Sequence, residues 1–459
     1  MAGDVKYEKR QNPQKALSKR VMHLTTSAIL LCNISFGCSI NAFAPALDNL
    51  ASRYKTTIED IAFVFTLVTI SYCIGSIICG FLSKYVNRQL IVIISLLAMA
   101  LSMFMTPYCP TKLLFFGCGG LFGFSSGFYG SSQIIWIIEI WQQNAGPFIQ
   151  AQHFCFSLGT IIPSVVLAPF LDKDEHSHAN ATETALPEQS TIHTPFLIIG
   201  TFNSLALLYQ LFLFIFYRYH TPPMYVDEKF EPLACAEDNP PPTETDVSGN
   251  VPLEESAQSH GNVKCGVSSR KIQLIAFAML FVGAYQAMEI STMQFLPIFG
   301  QYSDLKLSES DAAHVLSGLM AMFATGRLVG IIIIFKVRPE FIVVVNLILI
   351  AAGNTILSVW ASDSVSMFWI GSMILGAGFS TMFPSFFTFI EKHLIISGIF
   401  ASCIMVVGTT TSSMYPIILG KVIEHQAVVL TYTNFASISV CVIVMFWGYY
   451  LTQTTVARE

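Results

Sequence analysis

Charge is scarce in this chain. Asp, Glu, Lys and Arg together make up 12% of its 459 residues, while apolar residues make up 53%. So few charges cannot cover the surface of a soluble chain of this length, which excludes an ordinary water-soluble globule. Alternating segments of about ten residues are also missing, which excludes a transmembrane barrel. No cysteine spacing fits a metal site. Nine of the eleven cysteines fall in or beside apolar runs, where Cys behaves as a small apolar residue. Cys235 and Cys265 lie in a polar stretch and are expected to stay reduced. No run or turn assembles a nucleophile, a base and an orienting acid, so an enzyme is not expected. No segment resembles a selectivity filter, which argues against a channel. Neither a nucleic-acid partner nor a cofactor is expected.

What the chain has instead is length in apolar runs. Twelve are long enough to cross a bilayer as helices: 22–47, 59–82, 89–107, 112–138, 149–171, 195–217, 272–300, 312–335, 340–360, 366–390, 395–419 and 427–451. The expected fold is therefore an all-α membrane protein with twelve transmembrane helices in two six-helix pseudo-repeats. Its divisions are a tail over 1–20, a bundle over 21–217, a linker over 218–269, a second bundle over 270–451 and a tail over 452–459. The linker carries Pro240-Pro241-Pro242 with many Ser, Thr, Asp and Glu, and is expected to be a disordered cytoplasmic tether. The polar, basic start reads as the flank of an uncleaved signal anchor.

Basic residues orient the bundle. With the N-terminus in the cytoplasm, 17 of the 24 Lys and Arg fall in cytoplasmic segments and 6 in outer loops, with Arg327 inside a span. Positive-inside then places both termini in the cytoplasm, and a plasma-membrane location is expected. The sequon Asn180-Ala181-Thr182 falls in an outer loop on this topology, making Asn180 the expected glycosylation site. Asn33-Ile34-Ser35 lies inside span 1, out of reach.

The halves echo each other. Gly80-Phe81-Leu82-Ser83-Lys84-Tyr85-Val86-Asn87-Arg88 follows span 2, and Gly330-Ile331-Ile332-Ile333-Ile334-Phe335-Lys336-Val337-Arg338 follows span 8. Each places Gly on the last turns of a helix and basic residues in a short turn. The first stretch resembles the Gly-x-x-x-Asp-Arg-x-Gly-Arg-Arg/Lys signature of the major facilitator superfamily. Gly80 and Arg88 match, while Lys84 and Asn87 stand where Asp and Gly are usual. The run Ala145 to Phe154, with Gly159 and Pro163, is similar to the span 4–5 region of the sodium-dependent glucose transporter 1 group. Gly326-Arg327-Leu328-Val329-Gly330, Gly378-Phe379 and Phe383-Pro384 are similar to the fucose permease group. The resemblance implies a secondary transporter with its substrate held between the halves, lined by spans 1, 4, 7 and 10.

Polar side chains inside lipid are costly and mark a pathway or cavity. Here they are mostly amides and hydroxyls with aromatics interleaved. Amides both donate to and accept from sugar hydroxyls, and aromatic faces suit the C–H patches of a sugar. An organic anion or nucleotide would call for several cations, and only Arg327 is intramembrane. The expected substrate-contacting set is Asn41, Tyr129, Gln133, Trp136, Gln150, His153, Gln286 and Phe383. For each single amide, helix–helix hydrogen bonding is the competing role. Glu289, Arg327, Gly80 and Arg88 form the coupling and gating set. Glu139 reads as interfacial, and Arg327 as a gate lock about 13 Å along its helix from Lys336, or as a substrate contact. By resemblance, the acids that couple protons in fucose permease fall at Asn41 and at Tyr129 or Gly130, so that route is lost. Glu289 is the remaining deep carboxylate, and a sodium ion or a proton is the candidate coupling ion. The expected function is alternating-access transport of a hexose-like sugar by a symporter or facilitator, with the lipid bilayer as surroundings and a monomer as the working unit. Transport of another neutral or amphipathic solute, or a non-transporting receptor or scaffold on the same fold, are the alternatives.

Overall fold

A computed structural model describes residues 18–82, 85–142, 145–180, 192–219, 269–333, 336–393 and 398–456. The helices are α1 (Lys19–Ile40), α2 (Leu47–Arg53), α3 (Ile58–Leu82), α4 (Arg88–Met105), α5 (Lys112–Trp141), α6 (Gly146–Asn180), α7 (His193–Phe216), α8 (Ser269–Tyr302), α9 (Glu309–Ile333), α10 (Pro339–Val359), α11 (Val365–Ser380), α12 (Met382–Glu391), α13 (Gly398–Val422) and α14 (Val429–Val456). Eleven segments among the described residues are long and apolar enough to cross a membrane. The 25-residue α13 supplies a twelfth crossing. The first end of α1 and the last end of α14 share one face of the bundle, here the termini face.

Two expected spans are interrupted. The run 22–47 does not stay helical. Helix α1 ends at Ile40 with Asn41 as its C-cap, and α2 begins only at Leu47. Pro45 lies in the gap, where a proline has no N–H to continue a helix. The run 366–390 splits at Thr381 into α11 and α12. Pro384 frees the carbonyl four residues earlier, that of Ser380, and the Arg327 guanidinium takes it up at 3.4 Å.

The first two residues of the stretch expected as linker, 218 and 219, are among the described residues. Tyr219 is fully buried against Trp136, so the chain is still packed there. Residues 220–268 lie outside the described residues, as do 1–17, Lys84, Cys235 and Cys265. Asn180 is the last residue of α6 rather than a loop residue, and the rest of its sequon lies outside the described residues.

The two halves repeat in detail. Thr111 caps α5 and Ser364 caps α11, each hydroxyl accepting from the backbone three residues on. Lys55 (φ 52°) precedes α3 and Lys306 (φ 44°) precedes α9, each left-handed residue three places before its helix. Buried amides tie the same helix pairs. Asn203 on α7 donates to Ser39 and accepts from Ser35 on α1. Asn434 on α14 bonds Thr292 on α8 at 3.0 Å and Asn354 on α10 at 3.1 Å. Glycine contact is equally paired. A Cβ on Gly123 or Gly127 of α5 would meet the backbone of α3, and one on Gly376 of α11 would meet the backbone of α9. Such contacts hold helices together in lipid, where burying apolar surface between them gains little.

Candidate functional site

The halves meet along two helix pairs, α3 with α13 and α6 with α9. On the face opposite the termini, their closure is polar. The Glu424 carboxylate, just past α13, accepts the Ile58 N–H at 2.5 Å and so caps α3 from the other half. Lys421 approaches Glu59 at 3.8 Å, and the Tyr302 hydroxyl donates to Asp48 at 2.9 Å. One layer deeper, Thr66 donates to the Ser413 carbonyl at 2.9 Å, and Phe65 meets Phe295 edge-on. No sequence pattern flagged these residues, because each pairs with one more than 200 positions away.

Toward the termini face, a cavity of about 390 Å³ lies between α6, α9, α10, α11 and α12. That volume falls in the range of about 300–1,000 Å³ found for small-molecule sites. It brings together four expected residues: Gln150, His153, Arg327 and Phe383. Arg327 lies over the Phe323 ring at 4.3 Å, and its Nη1 donates across the halves to the His153 carbonyl at 3.2 Å. The cavity adds Asn346, Ser380, Thr381 and Ser385, which stand outside the expected contact set. Its amide donates to Thr381 at 2.8 Å and so pins the break between α11 and α12. Gly326 and Gly330 let α9 lie directly on Ser380 and Thr381 at this break.

The remaining expected residues sit elsewhere. Asn41 is buried and donates to the Thr160 carbonyl on α6 at 3.2 Å, so its amide binds two helices together. Tyr129 is fully buried beside Phe36. The Tyr129 hydroxyl and the Gln133 Oε1 are buried with no hydrogen-bond partner in the protein. Gln286 is also unpaired at Oε1, and that atom lies against Gly408 of α13. Trp136 is fully buried with its ring edge-on to Tyr219. Glu289 is half-buried, near the Tyr285 hydroxyl and within electrostatic reach of Arg327. The Tyr285 hydroxyl in turn donates to the Phe379 carbonyl at 2.9 Å, linking α8 to α11.

Gly80 and Arg88 have different surroundings. A Cβ on Gly80 would meet no atom within 4 Å, so close packing is not what places glycine there. Arg88 pairs with Glu139 at 3.0 Å, with the two side chains only 14% and 11% exposed. Glu139, read as interfacial, is thus the partner in a largely shielded ion pair. Its other oxygen accepts from the Tyr219 hydroxyl at 3.2 Å. Burial first, and then the Glu139 charge, push the Tyr219 phenol above its usual value. Asn87 caps α4 through the Gln89 N–H and donates to the Tyr219 carbonyl at 3.1 Å. Gln89 accepts the Tyr219 N–H at 3.0 Å. Asn87, where the superfamily signature has Gly, is therefore built into this knot.

Comparison with known proteins agrees with this architecture. The model of the Major Facilitator Superfamily matches residues 29–412. Sodium-dependent glucose transporter 1 of Xenopus laevis is 26% identical over 386 residues, covering 82% of this chain and 71% of that protein. The protein of the same name from Homo sapiens is 23% identical over 404 residues, covering 84% and 71%. Major facilitator superfamily domain-containing protein 4A of Xenopus tropicalis is 22% identical over 435 residues, covering 85% and 84%. Among solved structures, a bacterial homolog of the human lysosomal transporter Spinster, inward-facing and unoccupied, aligns with a TM-score of 0.64 at 12% identity, over 95% of this chain and 98% of that one. The transporter FucP in the outward conformation aligns at 0.58 and 15% identity, over 93% and 99%. At these identities the structures speak for the fold alone. The chain belongs to the Major Facilitator Superfamily, as a membrane transporter and not an enzyme.

Proposed function

We propose that this transporter carries a hexose-like sugar by alternating access. The observation that carries the reading is the chemistry facing the cavity and the helices behind it. Amides and hydroxyls (Gln150, Asn346, Thr381, Ser385) stand beside the Phe383 ring, with a single cation that already donates to two carbonyls. The relatives named as glucose transporters support the same substrate class.

On this reading the termini face is cytoplasmic, as the basic residues indicate. The polar closure of the opposite face then makes this an inward-facing arrangement, with Glu424, Lys421, Tyr302 and Thr66 as parts of the outer gate. Transport is facilitative, or coupled to sodium or a proton through Glu289. The protein works as a monomer in the plasma membrane and bears glycan at Asn180. Purified protein in liposomes tests the substrate class. Labelled glucose uptake should saturate and be competed by unlabelled hexoses, with sodium and pH gradients imposed in turn. Uptake no faster than in protein-free liposomes would refute it.

A further inference from the structure

We infer that the cavity selects a hexose bearing an apolar substituent, an alkyl or aryl glycoside, with the sugar at Gln150, His153 and Arg327 and the aglycone between α9 and α10. This rests on the sugar reading above and narrows its substrate class. The cavity has two unlike ends. One holds its polar groups, gathered where α6, α9 and the α11–α12 break converge. The other is walled by Val329, Ile333, Val337, Phe341 and Val345, all apolar. Ile333 lies six residues beyond Arg327, about 9 Å along the helix. This annex is therefore long enough for a short chain.

The annex also reaches the perimeter of the bundle. Val329, Ile333 and Phe341 line it and are 45%, 38% and 62% exposed. On a membrane-spanning helix, such side chains face hydrocarbon. A plain hexose carries hydroxyls on every side and finds no partner for them among these five walls. An alkyl or aryl group finds apolar contact there and lets the sugar keep the polar end. The Arg327 guanidinium already donates from Nε and Nη1 to carbonyls, which suits a neutral head over an anionic one.

A chain-length series tests this on the purified full-length protein. Its thermal unfolding is followed with glucose and with methyl, propyl and pentyl β-glucosides below their micelle concentrations, and affinities are read from the shift in midpoint. In the wild type the affinity should tighten roughly fourfold per added methylene until the annex is filled. Ile333→Trp fills the annex and Phe341→Ala removes a wall. Both should bind glucose as the wild type does and flatten the chain-length slope. Phe341 is exposed enough for its truncation to leave the fold intact, so the test stands even if Ile333→Trp fails to fold. Partition into the detergent micelle is the same for all three proteins. An equal slope in all three, or no slope in a wild type that binds glucose, overturns the annex alone. If neither glucose nor any glucoside shifts the midpoint, the sugar reading falls and the annex proposal with it.

Discussion

Glu424 is the most informative residue to change, because it holds one half to the backbone of the other. Its carboxylate caps the first N–H of α3, a charge-assisted bond at the positive end of a helix. Bonds of this kind contribute about 1.5–3 kcal/mol. The cap spans the two halves, so it is lost when they part on that face. Glu424→Ala should then shift the equilibrium toward the state open on the opposite face by roughly ten- to a hundred-fold. Lys421 and Glu59 form the neighbouring pair at 3.8 Å, with side chains 59% and 50% exposed. An exposed pair contributes about 0–1 kcal/mol, so Lys421→Ala should shift the balance by no more than about fivefold. Ser413 reports the opening, being 6% exposed beside Thr66 in the closed state. In a background without other reactive thiols, a Ser413→Cys protein is treated with a membrane-impermeant thiol reagent from the opposite face. Its labelling rate should rise with Glu424→Ala by the factor given. An unchanged rate, or an equal rise with Lys421→Ala, would show that the inter-half cap does not set the equilibrium.

Four further outcomes follow from the same geometry. Arg88→Ala leaves the largely shielded Glu139 without its cation and should lower unfolding stability by about 1–3 kcal/mol in detergent, while an Arg88→Met/Glu139→Leu pair recovers most of it; no recovery in the double variant refutes the ion pair as the cause. Glu289→Gln should leave downhill sugar exchange near wild type and abolish accumulation against a gradient, and accumulation that survives places coupling elsewhere. Gln133→Ala and Gln150→Ala should each weaken apparent sugar affinity by about 1–3 kcal/mol at normal surface expression, and unchanged uptake kinetics would leave these amides with packing roles only. Gly127→Ala drives a methyl into the Tyr72 carbonyl and should lose folded protein, whereas Gly80→Ala meets no atom within 4 Å and should express normally, as surface yield will show.

The crossings could be read from the sequence because lipid imposes one rule on every residue of a span, and that rule needs no knowledge of neighbours. The two interruptions were harder. Pro45 and Pro384 mark freed carbonyls, but whether a helix bends or breaks depends on what receives the carbonyl. At Ser380 the receiver is Arg327, more than fifty residues earlier. The site was legible where its residues share short segments, as Gln150 with His153 and Arg327 with its flanking glycines do. It was illegible where a partner comes from a distant helix. Asn346 stands in an otherwise apolar run and gives no sign that it holds Thr381. Gln286 and Gln133 look alike in sequence and both bury an unpaired oxygen, yet Gln286 places that atom against Gly408 of a distant helix. The ion pair of Glu139 was illegible because position along a span does not reveal a partner at the start of α4.

The paired amides, Asn203 in one half and Asn434 in the other, also decide where the molecule can bend. Each ties the first and last crossings of its own half, and glycine contacts press the second and fourth crossings together in the same way. Each half is thereby stiffened within itself. The seam between them is held by separable polar contacts: Glu424 on the Ile58 amide, Tyr302 on Asp48, Thr66 on the Ser413 carbonyl, Lys421 beside Glu59 and Arg327 on the His153 carbonyl. Each of these contacts can break and re-form without disturbing the ties inside a half, so the motion they permit is a relative displacement of two stiff blocks.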